Sequence, residues 1–123
     1  MNVNQIQAMK QAGDKSVALV VWDAPTAHIA HQCGADFLIV GDSVGVNLWG
    51  QSNNLEITLD DFLVAVKAVR RGAPGALVCA DIPYGPVQID PKEGVRAAVR
   101  LVQEGGADLV KIDAAPDFQI GRA

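Results

Sequence analysis

The sequence has no excess of positive charge: 10 lysines and arginines stand against 14 aspartates and glutamates, for a net charge of −4. This balance argues against a nucleic-acid-binding protein, which needs a basic patch. The sequence also has no run of about 18 apolar residues, so we predict no membrane-spanning segment. Residues 1–16 are polar and lack the apolar core of a secretory signal, which favours a cytoplasmic location.

Cysteine is scarce, and Cys33 and Cys79 are not spaced as a metal-binding or redox pair. Both lie in apolar segments, so we expect two buried, reduced thiols of a cytosolic protein. Half of the side chains are hydrophobic, which excludes intrinsic disorder. The 123 residues suffice for about one domain, and no linker or low-complexity stretch divides them.

Four short apolar runs rich in branched residues predict parallel β-strands that are buried on both faces. They cover residues 17–22, 37–40, 76–80 and 109–112. Helical patterns cover residues 23–33, 59–71 and 90–105, with a weak amphipathic helix within residues 1–15. This alternation predicts right-handed βαβ crossovers, as in a (β/α)8 barrel or a doubly wound open sheet. No glycine-rich dinucleotide fingerprint follows the first strand, which disfavours the open sheet.

Local signals fix the ends of these helices. Thr58 and Asp90 are predicted caps at helix starts, whereas Gly72 and Gly105 are predicted stops. The last helical pattern carries its apolar positions in one set: Val95, Ala98, Val99 and Val102. Residues 41–57 and 82–89 are predicted to be loops without helix. A weak internal repeat is also visible, since residues 34–40 (GADFLIV) echo residues 106–112 (GADLVKI).

Each predicted strand leads into an acidic residue: Asp23, Asp42, Asp81 or Asp113. The carboxyl ends of parallel strands meet at one face, so these carboxylates are expected to lie close together and to repel one another. A divalent cation would relieve this repulsion, and oxygen ligands favour Mg²⁺ over zinc. Lys111 supplies a further positive charge on the same side of its strand as Asp113.

Structural explanations compete with these functional ones. An aspartate after a strand is often the N-cap of the next helix, and this remains open for Asp23 in particular. Lys111 could extend from the strand end into solvent. The remaining polar and aromatic candidates are assigned to packing, helix ends or loops, although the two aromatic residues could equally line a pocket: His28, His31, Arg70, Arg71, Trp49 and Tyr84.

Three motifs occur in order: VGDS at residues 40–43, RRGAP at 70–74 and ADIP at 80–83. Together with the segments around them, from FLIVGDSVGVNLWG to GGADLVKID, they resemble the ketopantoate hydroxymethyltransferase family over residues 17–113. The resemblance implies a (β/α)8 barrel of the phosphoenolpyruvate mutase/isocitrate lyase superfamily. It also implies Mg²⁺-dependent transfer of a hydroxymethyl group from methylene-tetrahydrofolate to 3-methyl-2-oxobutanoate, which gives ketopantoate for coenzyme A biosynthesis.

The resemblance assigns roles to five residues. Asp42 and Asp81 match metal-binding aspartates that also contact the keto acid. Ser43 matches a neighbouring substrate contact, and Lys111 matches a lysine that holds the keto acid. Asp113 stands where the family usually has a metal-associated glutamate, and its shorter side chain would reach the ion less easily.

The family's catalytic glutamate and a later histidine would lie beyond Ala123, so we predict no catalytic residue within this chain. Glu56, Glu93 and Glu104 are poor substitutes. We therefore expect residues 1–123 to be the N-terminal half of the barrel, with only the first four strand–helix units, and to be inactive or incomplete alone. Open sheet edges make a homo-oligomer the expected state.

Two alternatives remain. The chain could belong to a related Mg²⁺-dependent lyase or mutase that acts on a C–C bond of another 2-keto acid. It could also be a non-catalytic half-barrel module that assembles with itself or with a partner.

Overall fold

A four-stranded parallel sheet lies at the centre of residues 1–113, the part of the chain that this computed structural model describes. Its strands, in spatial order, are β1 (Ala18–Val20), β2 (Phe37–Val40), β3 (Leu77–Asp81) and β4 (Leu109–Lys111). The helices are α1 (Val3–Ala12), α2 (Ala24–Gln32), α3 (Val44–Asn47), α4 (Leu59–Gly72), α5 (Tyr84–Ile89) and α6 (Pro91–Gln103).

The strand order follows the chain order without reversal, and all three pairings are parallel. A doubly wound sheet reverses its strand order at a switch point, whereas a (β/α)8 barrel does not. The described residues therefore form four consecutive strands of barrel type, which confirms the α/β class. None of the helices in this part of the chain has the length and apolar character needed to cross a bilayer.

The hydrophobic core lies between one face of the sheet and the helices. Leu38, Val40 and Val78 are fully buried on that face. Helix α4 buries the stripe that its sequence predicts, including Phe62 and Val66, because these positions recur at helical spacing. On the opposite face, Ile39 of β2 is partly exposed, whereas Cys79 and Asp81 of β3 are buried.

Helix caps mostly follow the sequence. The main-chain N–H of Asp61 donates to the Thr58 hydroxyl (3.2 Å), and that of Glu93 donates to the Asp90 carboxylate (2.8 Å). Asp23 caps α2 by accepting from Thr26, so its structural explanation is the correct one. Gly72 does not end α4 as predicted: it remains helical, and a Cβ there would lie 2.2 Å from the Ala24 carbonyl oxygen.

Other predictions were wrong in instructive ways. Short helices α3 and α5 occupy segments predicted to be loops. The apolar set on α6 is not its buried face, since Val95, Val99 and Val102 are 45–63% exposed while Ala97 and Leu101 are buried. The reason is that the contacts of α6 with α5, β4 and α4 cover the side that carries Ala97 and Leu101, and the three valines lie outside these contacts.

Strand β1 and one cysteine also depart from the prediction. All three residues of β1 are exposed, because no strand within residues 1–113 pairs with its outer edge. Cys33 is exposed at the end of α2, whereas Cys79 is buried as expected. Helix α1 forms as predicted, but none of its residues is buried.

The internal sequence repeat is a repeated corner at the amino end of the sheet. Gly34 and Gly106 both adopt positive φ angles, of 86° and 76°. Asp36 then bonds to Val17 twice: its carboxylate accepts the Val17 N–H (2.7 Å), and its own N–H donates to the Val17 carbonyl (2.9 Å). The second corner repeats both hydrogen bonds, here between its aspartate and Val78 of β3, and each has a distance of 2.8 Å.

Arg70 reinforces the second corner, a role that differs from the helix-terminus function predicted for it. Its guanidinium donates to the carbonyl oxygens of Gly106 (2.7 Å) and Ala76 (2.8 Å) and pairs with Asp108. Helix α4 is thereby tied to the starts of both β3 and β4.

Candidate functional site

Three of the predicted site residues meet at the carboxyl edge of the sheet. Asp81 and Lys111 are the last residues of β3 and β4, and they are paired directly across the two strands. Asp42 follows β2 after one intervening glycine, Gly41. Because neighbouring positions in register share a face of the sheet, the Lys111 ammonium reaches the Asp81 carboxylate, with 3.1 Å between Nζ and Oδ1.

Asp81 is the most buried of these groups, with only 5% of its surface exposed. Burial raises the pKa of Asp81 above its ordinary value, although the Lys111 ammonium and the main-chain N–H of Asp42 partly oppose this shift. Its Oδ1 atom is buried, and no donor among the described residues is aligned for a hydrogen bond, despite the nearby ammonium. One carboxylate oxygen therefore remains short of a partner.

The pKa of Asp42 is raised as well. Burial raises its pKa, and repulsion from the carboxylates of Asp81 and Asp113 raises it further. The Lys111 ammonium and the N–H of Ser43 oppose the shift without cancelling it. Two carboxylates with raised pKa values side by side are typical of functional sites, where charge is held for a ligand.

Lys111 remains charged in this setting. Burial alone would lower its pKa, but the hydrogen bond to Asp113 and the ion pair with Asp81 outweigh that effect and the pKa is raised. Its side chain is 42% exposed and contacts Asp113 as well as Asp81. The lysine therefore joins the buried carboxylate to the exposed one instead of extending freely into solvent.

Gly41 and Cys79 belong to this site although the sequence analysis did not assign them to it. A Cβ on Gly41 would lie 3.1 Å from the Ser43 hydroxyl and 3.8 Å from the nearer Asp81 oxygen, so a side chain there would fill the space between them. Cys79 precedes Asp81 by two residues, and burial followed by the Asp81 charge raises the pKa of its thiol. Strand alternation places Cys79 on the same face as Asp81 and was the available signal.

The donor set suits a hard cation. Carboxylate oxygens are the ligands that Mg²⁺ prefers. A cation bound here would give the unsatisfied Asp81 oxygen a partner and would reduce the repulsion at Asp42. Within residues 1–113, however, no three carboxylate, imidazole or thiol groups converge to hold a metal ion. Asp42 and Asp81 thus fit part of a coordination shell, and Asp113, 61% exposed, is engaged with Lys111.

The remaining candidates lie away from this edge or on its loops. His28 is exposed on α2, where the sequence predicts a surface role. Trp49 and Tyr84 are 41% and 46% exposed on the segments that follow β2 and β3, so neither covers the core. The metal and substrate roles of Asp42, Ser43, Asp81, Lys111 and Asp113 stay predictions.

Solved structures with a similar fold include two enzymes of low sequence identity. The chain resembles 2,3-dimethylmalate lyase, a phosphoenolpyruvate mutase/isocitrate lyase superfamily member, with a TM-score of 0.64 and 20% identity over 89% of this chain and 38% of that one. It also resembles phosphonopyruvate hydrolase in complex with oxalate and Mg²⁺, with a TM-score of 0.69 and 18% identity over 97% and 42% of the two chains. At such low identity these likenesses establish the barrel-type fold alone.

Sequence relatives are more informative. The chain is 44% identical to 3-methyl-2-oxobutanoate hydroxymethyltransferase of Geobacter sulfurreducens, over 88% of this chain and 40% of the relative. It is 38% identical to the enzyme of the same name from Geobacillus kaustophilus, over 89% and 39%. The chain thus spans about two fifths of the length of these curated relatives. The sequence model of one family, ketopantoate hydroxymethyltransferase, matches residues 1–120, and the chain belongs to that family.

Proposed function

We propose that this chain carries the metal- and keto-acid-binding part of a hydroxymethyltransferase that converts 3-methyl-2-oxobutanoate to ketopantoate with methylene-tetrahydrofolate as carbon donor. The observation that supports it is the grouping of Asp42, Asp81 and Lys111 at the carboxyl edge, with a buried Asp81 oxygen left without an aligned donor. Family membership supplies the reaction, and the chain supplies part of the site.

In this proposal Asp42 and Asp81 hold Mg²⁺ together with ligands from outside residues 1–113. A Mg²⁺ ion held there supplies Lewis-acid polarisation of the carbonyl group of a 2-keto acid. Lys111 places a fixed positive charge beside the substrate oxygens, where negative charge develops as the proton on the adjacent carbon leaves. The Ser43 hydroxyl makes no capping bond to α3 and is available to the substrate.

The general base is proposed to come from a part of the barrel outside this sequence. The glutamates in the described residues are engaged elsewhere: Glu56 accepts from the N–H of Ser52, Glu93 pairs with Arg96, and Glu104 pairs with Arg100. Residues 1–123 would then be the N-terminal half of a (β/α)8 barrel. A cytoplasmic, homo-oligomeric enzyme without nucleic-acid or membrane partners is part of the same proposal.

Complementation tests this proposal. The chain is fused to the part of the Geobacter sulfurreducens relative that it does not match, and ketopantoate formation is measured with Mg²⁺ and methylene-tetrahydrofolate. We expect activity from the fusion and none from the chain alone. A fully active isolated chain, or a correctly folded but inactive fusion, would contradict the division of the site between two halves.

Calorimetric Mg²⁺ binding gives a second readout on the same fusion. Asp81→Asn should weaken Mg²⁺ binding by at least about tenfold, because it removes a charged oxygen ligand. Asp60→Asn is the matched control: this aspartate is 79% exposed on α4 and pairs with Arg100 of α6. Equal Mg²⁺ affinity in the Asp81 variant and the wild type would remove Asp81 from the metal site.

A further inference from the structure

We propose that Gly41 is a positioning residue for Ser43. Because residue 41 has no side chain, the Ser43 hydroxyl lies over the end of β2, from where it donates a hydrogen bond to the carboxylate group of the 2-keto acid. This role rests on the proposed function, and it concerns how the keto acid is held, not how the metal is bound.

The main-chain conformation does not require glycine at residue 41. A positive φ, which favours glycine, occurs within residues 1–113 at Gly13, Gly34, Gly50 and Gly106. Gly41 does not have such an angle, so alanine is compatible with the main chain there. At a compatible position alanine usually stabilises a protein relative to glycine, because glycine has more conformational freedom to lose on folding. A glycine at residue 41 therefore calls for a reason other than its own main chain.

Packing against neighbouring main chain does not require this glycine either. At Gly72, for comparison, a Cβ would lie 2.2 Å from a main-chain carbonyl oxygen, which has little freedom to move. The three atoms nearest to a Cβ on Gly41 all belong to side chains. Two of them are at ordinary van der Waals distance: Cγ1 of Val20 at 3.7 Å and Oδ2 of Asp81 at 3.8 Å. Only the third, the Ser43 hydroxyl oxygen at 3.1 Å, is so close that it would have to move.

The Ser43 hydroxyl does not have the role that its position in the chain predicts. Ser43 is the N-cap residue of α3, where a serine hydroxyl usually accepts a main-chain N–H of the helix. The N-cap residues Thr58 and Asp90 have an extended main chain and make that bond. Ser43 instead has a φ of −60° and a ψ of −5°, and its side chain makes no capping bond. Its hydroxyl lies against Gly41, at the strand end that carries the site.

This arrangement sets a hydroxyl donor beside the proposed metal ligands. The position of a Cβ on Gly41 is bordered by the Ser43 hydroxyl and by the Asp81 carboxylate. A keto acid held at this site carries a carboxylate group, whose oxygens accept a hydrogen bond from a hydroxyl. Hydrogen bonds to charged groups are stronger than neutral ones, so displacement of the hydroxyl should weaken keto-acid binding measurably. Metal binding should not change, because the Asp81 oxygen is at an ordinary distance from the added Cβ.

A double-mutant cycle tests whether Gly41 acts through Ser43. Gly41→Ala, Ser43→Ala and the double variant are made in the fusion with the unmatched part of the Geobacter sulfurreducens relative. Calorimetry then measures the binding of 3-methyl-2-oxobutanoate at saturating Mg²⁺. We expect Ser43→Ala to weaken this binding about tenfold and Gly41→Ala about fivefold. The double variant should bind as weakly as Ser43→Ala and no more weakly, because no hydroxyl is left for the added methyl group to displace.

Gly75→Ala is the matched control. Gly75 precedes β3 at the opposite end of the sheet, and a Cβ there would lie no closer than 3.6 Å to its nearest neighbour, Nε2 of His31. This variant should bind the keto acid as the wild type does. In Gly41→Ala, the Mg²⁺ affinity measured without keto acid should stay within about twofold of the wild type. Urea unfolding of the unfused chain should show no loss of stability in Gly41→Ala or Gly75→Ala.

Unchanged keto-acid binding in Gly41→Ala would overturn the proposal, and so would additive losses in the cycle, since Gly41 would then act independently of Ser43. A parallel loss of Mg²⁺ affinity would assign Gly41 to the metal site instead. A loss of stability in the unfused Gly41→Ala chain, absent from Gly75→Ala, would give the glycine a structural role, and this measurement needs no ligand. A wild-type fusion that binds Mg²⁺ but no keto acid would contradict the proposed function and the role of Gly41 together. If the wild-type fusion binds both, a negative result in the variants concerns Gly41 alone.

Discussion

The two ends of the sheet hold their carboxylates in opposite ways. At the amino end, Asp36 and Asp108 accept main-chain N–H groups at 2.7 and 2.8 Å, and Arg70 pairs with the second of them. At the carboxyl end, Asp81 is buried and Asp42 is half-buried beside it. Both carboxyl groups have raised pKa values, and one Asp81 oxygen lacks an aligned donor.

This contrast separates stability from function within one sheet. Satisfied carboxylates at the amino end hold the corners and thereby the strand register. Unsatisfied ones at the carboxyl end oppose folding, and such groups persist where a ligand compensates them. The contrast fits the general division of barrel folds, in which sites occupy the carboxyl face and the opposite face maintains the structure.

The largest stability effect is expected from Asp108→Ala. This substitution leaves the Val78 N–H and the Arg70 guanidinium without their acceptor. We expect a loss of about 2 kcal/mol in the free energy of unfolding, below the 3–5 kcal/mol of a fully buried pair, because the Asp108 side chain is 43% exposed. Urea unfolding at pH 7 measures it. A loss no larger than that of the surface variant Asp60→Ala would show that the corner does not stabilise the sheet.

The corner of Asp36 should contribute less to the free energy of unfolding than the corner of Asp108. Asp36→Ala removes the acceptor of the Val17 N–H, but Val17 is 55% exposed and water can replace the lost hydrogen bond. We expect a loss of about 1 kcal/mol in the same urea experiment. If Asp36→Ala proved as damaging as Asp108→Ala, then Arg70 would contribute nothing beyond the main-chain hydrogen bond.

Much of this comparison was predictable from sequence, and the reason is that local signals agree with the topology. Branched apolar runs set the four strands, and strand alternation placed Lys111 and Asp113 on one side. The parallel arrangement then brought Asp42 and Asp81 to one edge. The caps at Thr58 and Asp90 were visible because they depend on residues three positions apart.

Features that depend on distant neighbours could not be predicted. The apolar run of β1 gave no sign that its outer side lies open, and the valines of α6 gave none that they lie outside the contacts of their helix. The GAD repeat was visible, but its function requires Val17 and Val78, which strand pairing brings into reach. Helix α5 is only six residues long, includes a glycine and a proline, and packs on α6 through contacts that no local pattern encodes.

At the carboxyl end of the sheet, removing an aspartate charge should raise the free energy of unfolding instead of lowering it. Asp81→Asn removes a buried charge whose raised pKa shows that the folded state disfavours its ionised form. We expect the free energy of unfolding at pH 7, without Mg²⁺, to rise by about 0.5–1 kcal/mol, the scale of other single stabilising substitutions. Asp42→Asn is the matched variant and should act in the same direction. A loss comparable to that of Asp108→Ala would make the pair with Lys111 structural.

The smallest expected effect is the change with pH in the stability gained by Asp81→Asn. A carboxyl group whose pKa is higher in the folded than in the unfolded protein binds more protons when folded. Its contribution to stability is therefore greatest below the ordinary pKa of 3.8, and it is lost as the pH rises through the pKa of the folded state. The difference between Asp81→Asn and the wild type should therefore be widest at pH 7 and narrow as the pH falls through the raised pKa. Urea unfolding of both proteins from pH 7 to 4 measures this difference. A difference that stays constant from pH 7 to 4 would mean that ionisation of Asp81 does not destabilise the folded state, and it would contradict the raised pKa of this group.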